Sequence, residues 1–141
     1  MWLGAAGVVF LVWAGHFVWE YFDPGGTAHQ TIQLQLKLFG SAIYEYHSVT
    51  GRWPSKLDDL AETSLPRKSY VWRETAKSFV ILWPQELKAD LKENARVVLV
   101  YDDGSLFSGH GRVWVCWGDL RTEMLDRKDL LARLGRGAGR E

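Results

Sequence analysis

The sequence has a single cysteine and no excess of positive charge. One cysteine excludes an intrachain disulfide framework and a zinc site built from several cysteines. Seventeen lysines and arginines balance seventeen aspartates and glutamates. This balance argues against a broad nucleic-acid surface, because such surfaces carry a basic excess, and nucleic acid is not an expected partner. The 141 residues supply one domain with little room for a second.

Charge is also missing from the first 19 positions, which contain no Asp, Glu, Lys or Arg. Residues 2–15 are almost purely apolar, and about 20 helical residues span the roughly 30 Å hydrocarbon core of a bilayer. The aromatic residues at 19, 21 and 22 suit an interfacial belt, and Trp2 suits the other interface. We therefore predict a transmembrane anchor at residues 1–22.

A cleaved signal peptide is the main alternative for this segment, and a buried core helix is the third. A signal peptide needs a basic start and a cleavage site of small residues, whereas no Lys or Arg occurs before Lys37 and bulky aromatics fill the far end. We favour the uncleaved anchor. The missing Lys and Arg leave the positive-inside rule without evidence for orientation, and we assume that the C-terminal domain is exported.

The next segment, residues 27–49, has the spacing of an amphipathic helix. Its apolar residues recur at intervals of four, three, four and three positions, and they are Ile32, Leu36, Phe39, Ile43 and Tyr46. Such intervals place side chains on one helix face. Alternation over residues 32–38 also fits a strand, but the helical pattern continues further. Gly51 suits the residue that follows a helix end.

A second, shorter helix is predicted after Gly51. Ser55 with Asp58 three positions later resembles a capping box. Leu57, Leu60 and Ala61 would form the inward face of this helix, and Leu65-Pro66 would end it.

The remaining sequence predicts a small β-sheet. Predicted strands cover residues 69–72, 78–83, 96–101, 112–117 and 122–125. A last helical turn follows Asp126, and residues 135–141 form a flexible tail. Because a sheet must bury its apolar face against another element, the predicted fold class is α+β. In it, a domain at 23–134 packs the long amphipathic helix on a small antiparallel β-sheet.

Residues 44–60 carry a resemblance to a known family. A tyrosine-rich helix end is followed by Thr-Gly-Arg-Trp-Pro and then by Ser-x-Leu-x-x-Leu. This pattern resembles the signature after the N-terminal helix of type II secretion pseudopilins and related type IV pilin-like proteins. Residues 110–121 are similar to the end of many bacterial pilin-like proteins, where a His precedes an apolar strand and a hairpin turn. The motif positions are Gly51, Trp53, Pro54, Leu57 and Leu60.

The resemblance implies a pilin-like fold and a structural protein, not an enzyme, that acts through protein–protein contacts in a secretion or pilus-like assembly. It implies a single-pass protein of the bacterial inner membrane with a periplasmic C-terminal domain. The implied partners are the membrane, other pilin-like or secretion-system proteins, and further copies of the chain. Pilin-like precursors have a basic leader and an early Glu, whereas the first acidic residue here is Glu20. We therefore expect a divergent protein without a clear prepilin peptidase site.

Two other functions stay open on the sequence alone. One is a membrane-anchored exported binding module unrelated to secretion. The other is an exported hydrolase that uses His110 and Asp119, with Cys116 as a further candidate group. A nucleophilic cysteine needs a lowered pKa and a nearby histidine, and a lone cysteine in an apolar strand is usually a small core residue.

Calcium is the one candidate cofactor. The resemblance to pseudopilins implies a calcium site in a C-terminal loop, for which Asp102, Asp103 and Asp119 are the candidate ligands. Calcium takes six to eight oxygen ligands. The Asp102-Asp103-Gly104 run lacks the spacing of a self-sufficient calcium loop and is also typical of a simple turn.

The aromatic residues near the C-terminus are candidates for an interaction surface. Strand alternation places Trp114 and Cys116 on one face and Val115 and Trp117 on the other. If one face is exposed, Trp114, Trp117 and His110 form a contact surface for a partner protein. The alternative is that both faces are covered within the domain.

Overall fold

The computed structural model describes residues 27–83, 87–104 and 111–138. The chain divides into two compact units, residues 1–32 and 33–141, and all the strands described below belong to the second. Within these described ranges, two 3₁₀ helices, at Leu57–Glu62 and Leu91–Asn94, accompany four α-helices and four strands. The α-helices are α1 (Thr27–Thr50), α2 (Leu65–Lys68), α3 (Trp72–Ala76) and α4 (Arg127–Ala138). The strands are β1 (Phe79–Ile81), β2 (Val98–Asp102), β3 (Arg112–Trp117) and β4 (Thr122–Asp126).

The predicted anchor at residues 1–22 lies outside the described residues. Within the described ranges, no helix combines the length and apolar character that crossing a bilayer requires.

The four strands form one sheet in the order β1-β2-β3-β4, and each neighbouring pair is antiparallel. The predicted α+β class and antiparallel sheet are confirmed. Strand β3 has the predicted bounds, whereas β1 is shorter than the predicted strand at 78–83. The turn predicted between β3 and β4 is also present, and Leu120 takes a positive φ there.

From Gln33 onward, helix α1 covers one face of the sheet, as its apolar periodicity predicts. Phe39 is fully buried and meets Phe79 of β1 edge to face, with ring centroids 5.4 Å apart. Gly40 allows the close approach, because a Cβ there would lie 3.0 Å from the Sγ of Cys116 on β3. The helix ends where Gly51, with φ of +72°, donates its N–H to the carbonyl of His47 at 2.8 Å.

Helix α4 covers the opposite face. Leu130 packs with Val113, Val115 and Trp117, which alternate along β3 and point away from α1. The carboxylate of Asp126 accepts a hydrogen bond from the backbone N–H of Lys128 at 2.9 Å, so the predicted start of this helix is confirmed. The helix continues to Ala138 and therefore includes four residues that the sequence assigned to a flexible tail.

The strand predicted at residues 69–72 is wrong. Tyr70 is 95% exposed and Trp72 begins α3. The buried residues of this region follow intervals of four, three and four, which is the helical period, and they are Leu65, Ser69, Trp72 and Ala76. Burial at helical spacing therefore prevails over the strand preference of Tyr, Val and Trp.

The predicted capping pair at the first 3₁₀ helix is also corrected. The carboxylate of Asp59, not Asp58, accepts from the backbone N–H of Ser55 at 2.8 Å and of Lys56 at 3.3 Å. Asp58 instead forms a surface salt bridge with Arg73. Leu60 is buried as predicted, whereas Ala61 is exposed.

Candidate interaction surfaces

The first residues of the motif that carries the pseudopilin resemblance, Gly51 and Trp53, lie at the C-terminal end of α1. Pro54 is buried, and the ring of Trp53 stacks on His47 with centroids 3.8 Å apart and planes 12° apart. Tyr44 meets the same indole edge to face at 5.6 Å. Gly51 allows the chain to turn at the end of α1, and Pro54 restricts the backbone that follows. This segment therefore ends the helix and packs the Trp53 ring against its last turns.

A pocket of about 330 Å³ lies beside these rings, lined by Ser41, Tyr44, His47, Ser48, Trp53 and Leu91 among others. The hydroxyl of Tyr44 donates to the carbonyl of Gly118 and accepts from the Nδ2 of Asn94 at 2.8 Å. Burial raises the pKa of Tyr44, so the phenol stays neutral. The Tyr44 hydroxyl is engaged in these two hydrogen bonds and is not free to act as a catalytic group. The pocket beside it presents aromatic surface.

The candidate surface on β3 is largely covered. Trp117 is only 4% exposed and donates its Nε1–H to the carboxylate of Glu123 at 3.0 Å. Trp114 is half-buried, and His110 lies outside the described residues. Trp117 is therefore covered within the domain, because α4 packs on its side of the sheet, whereas Trp114 stays partly exposed on the side of α1.

Cys116 is part of the core beneath α1. Burial raises the pKa of its thiol to about 12, so the group is protonated at neutral pH. A nucleophile needs the thiolate, and this cysteine is placed as a small packing residue.

The three candidate calcium ligands are not brought together. Both carboxylate oxygens of Asp102 are used, one by the N–H of Gly104 at 2.9 Å and one by the N–H of Trp114. Asp119 lies in the turn after β3, where its carboxylate accepts from the N–H of Arg121 at 3.1 Å. Asp102 and Asp119 lie at opposite ends of the sheet, since Val98 pairs with Trp117.

These residues therefore do not fit a calcium ion. In the described part of the chain, no group of three His, Cys, Asp or Glu side chains is placed to hold a metal.

The described residues do not test the alternative hydrolase pair, His110 and Asp119. His110 falls outside them. Asp119 follows the last residue of β3, whereas Gly111 precedes the first. The six residues of this strand span roughly 20 Å, so Asp119 lies at the far end of β3 from Gly111.

Asp102 predicts a measurable pH dependence of folding stability. Burial raises its pKa above 3.8, against the opposing effect of the two N–H donors. The folded protein then holds a proton that the unfolded chain has released, so this group contributes less stability as the pH rises. We expect the stability of the native protein minus that of D102N to fall as the pH rises from below 3.8 through the raised pKa, measured by chemical denaturation at a series of pH values.

Asp59 is the matched control, because its contribution to folding stability changes with pH in the opposite direction. The N–H of Ser55 lowers its pKa below 3.8, so its contribution is complete above that pH and is lost as the pH falls. The stability of the native protein minus that of D59N should therefore rise with pH over the acid range. Parallel curves for D102N and D59N would contradict the assignment of Asp102 as a carboxyl whose charged form is disfavoured by burial.

A groove that the sequence did not indicate lies between β2, the β3–β4 turn and α4. We call it the arginine groove; it has a volume of about 480 Å³ and is lined mainly by Arg96, Val98, Trp117, Arg121, Glu123 and Arg133. The guanidinium carbons of Arg121 and Arg133 lie 5.7 and 5.9 Å from the centroid of the Trp117 indole. The three arginines are distant in sequence, and no local motif joins them.

The described residues define a class of protein by their fold: a small α+β domain whose four-stranded antiparallel sheet lies between two helices. No family model, curated protein or solved structure matches this chain. Its function is therefore inferred from its own residues and contacts.

Proposed function

We propose that this protein is a membrane-anchored scaffold similar to pseudopilins, which acts in a secretion or pilus-like assembly through protein–protein contacts and carries out no reaction. One observation carries the proposal. A 24-residue helix follows the apolar segment, packs its apolar stripe on a four-stranded antiparallel sheet, and is closed by the Gly51–Pro54 turn that resembles the pseudopilin signature.

The side chains that the sequence offers for chemistry support a structural role. Cys116 is a buried thiol with a raised pKa, and Asp102 is engaged by two backbone donors. In the proposed arrangement, residues 1–22 hold the chain in the bacterial inner membrane and the α+β domain lies in the periplasm. There it meets other pilin-like or secretion-system proteins.

Two lysines in the apolar segment test the anchor. At the centre of a membrane span each lysine costs roughly 2.5 to 3.5 kcal/mol of insertion free energy. We expect the V9K/V12K variant to leave the membrane fraction, whereas V9L/V12L, which keeps the segment apolar, remains there after carbonate extraction. Protease added to spheroplasts should remove the C-terminal domain of the native protein.

The intact mass of the native protein distinguishes an uncleaved anchor from a cleaved signal peptide. A protein that starts at Met1 and stays in the membrane supports the plain anchor. A soluble protein whose first residue lies between Gly15 and Gly25 would replace the anchor with a cleaved signal peptide.

The role in an assembly is tested in a cell that makes the protein natively. Deletion of the gene should reduce the export of one or more proteins into the medium, and expression of the native chain should restore it. Unchanged export together with membrane anchoring would favour the binding module unrelated to secretion.

A further inference from the structure

Three parts of the chain bring arginines to the arginine groove. Arg96 precedes β2, Arg121 lies in the turn between β3 and β4, and Arg133 lies on α4. All three side chains are exposed at the rim, whereas Val98 and Trp117 are buried and form the floor. The groove therefore combines a cationic rim with an apolar base.

The charge in the groove is not balanced by the described residues. Among them, the salt bridges are Arg73–Asp58 and Lys77–Glu74, so none of the three groove arginines has a carboxylate partner there. The groove contains one acidic side chain, Glu123, and its carboxylate is engaged by the Nε1–H of Trp117. Three positive charges face one negative charge, and an anionic ligand would lower their mutual repulsion.

Two of the arginines lie beside the same aromatic ring, that of Trp117. The guanidinium groups of Arg121 and Arg133 contact the same indole, and such cation–π contacts restrict their motion. A guanidinium presents a planar fork of donors that matches a carboxylate. A side chain whose motion is restricted by such a contact loses less entropy on binding.

We propose that the arginine groove binds an acidic segment of a partner polypeptide. Its Asp or Glu carboxylates pair with Arg96, Arg121 and Arg133, and its apolar side chains contact Ala95 and Leu134, the partly exposed apolar residues of the lining. The balanced total charge of the chain favours a peptide over a nucleic acid, which needs a wider basic surface. This inference rests on the proposed function only in that the partner is a protein.

Fluorescence anisotropy with a defined probe tests the proposal. The probe is a fluorescein-labelled peptide in which glutamate and valine alternate, and the control peptide has glutamine in place of every glutamate. With the purified full chain in detergent micelles, we expect the glutamate peptide to bind and added salt to weaken it. The glutamine peptide should bind at least tenfold more weakly. Equal binding of both peptides would overturn the proposal.

Arginine variants locate the binding to the groove. R121Q and R133Q should each raise the Kd about tenfold, since a charge-assisted hydrogen bond is lost. R96Q should act in the same direction without removing a contact to the Trp117 indole. R67Q is the matched control, because Arg67 is an exposed arginine on α2 outside the groove.

Each other result counts against the groove. Equal weakening by R67Q would mean that the peptide responds to total charge. Unchanged binding in R96Q, R121Q and R133Q would remove the site from the groove. Tighter binding of polyuridine RNA or anionic vesicles, with the same dependence on the three arginines, would replace the peptide as the ligand. None of these results alters the fractionation of the native protein, so the anchor and the groove are tested separately.

Discussion

G118A is expected to lose about 3 kcal/mol of unfolding free energy, which lowers the melting temperature by roughly 10 °C. A Cβ at this position would lie 2.5 Å from the Cβ of Asn94 and would also overlap its backbone carbonyl oxygen. Neither side can move away easily, because Gly118 donates its N–H to Val97 and its carbonyl accepts from Tyr44. Thermal unfolding of the full chain in detergent micelles, followed by circular dichroism, measures the loss.

G135A is the matched control for this substitution. Gly135 lies in α4, and a Cβ there would meet nothing within 4 Å. Alanine in a helix interior is favoured over glycine by roughly 0.5 to 1 kcal/mol, so G135A should keep or raise the melting temperature. A G118A variant that melts within a degree or two of the native protein would show that the contact with Asn94 relaxes.

F39A is expected to lose about 3 to 5 kcal/mol of unfolding free energy. Phe39 is fully buried between α1 and the sheet, and its ring meets Phe79 at an angle of 84°. The substitution removes the buried ring, its edge-to-face contact and the surrounding dispersion contacts, and leaves a cavity. Urea denaturation followed by tryptophan fluorescence measures the change in the midpoint.

L34A supplies the comparison on the same helix. Leu34 is 57% exposed, so its truncation should change the stability by less than about 0.5 kcal/mol. The ratio of the two effects tests the assigned inner face of α1. Similar losses for F39A and L34A would mean that this helix does not pack on the sheet with the face described.

The sequence predicted an element correctly where the spacing of residues within that element determines its structure. The apolar stripe of α1 and the unbroken apolar run of β3 predicted both elements, and for β3 the bounds agree. Gly51 was predicted as the helix end because its conformational freedom is local. The pairing of β3 with β4 followed from their nearness in sequence.

Predictions from local sequence patterns were wrong or incomplete where contacts between residues distant in the chain determine the structure. Tyr70, Val71 and Trp72 have the preference of strand residues, yet only Trp72 is buried, and the chain there forms short helices. Asp58 and Asp59 are neighbours with the same side chain, and the path of the backbone at Ser55 determines which one caps. The sequence left open whether Trp117 is exposed, and the packing of α4 against β3 buries it.

The sequence by itself determined the α+β class, the covering of one sheet face by α1 and the turn at Gly51–Pro54, because each depends on spacing within a short stretch. Only the tertiary structure decided that Asp102 and Asp119 lie apart and that Arg96, Arg121 and Arg133 lie together. Sheet register and the packing of α4 set those distances. They arise from contacts between residues far apart in the chain, which no local period encodes.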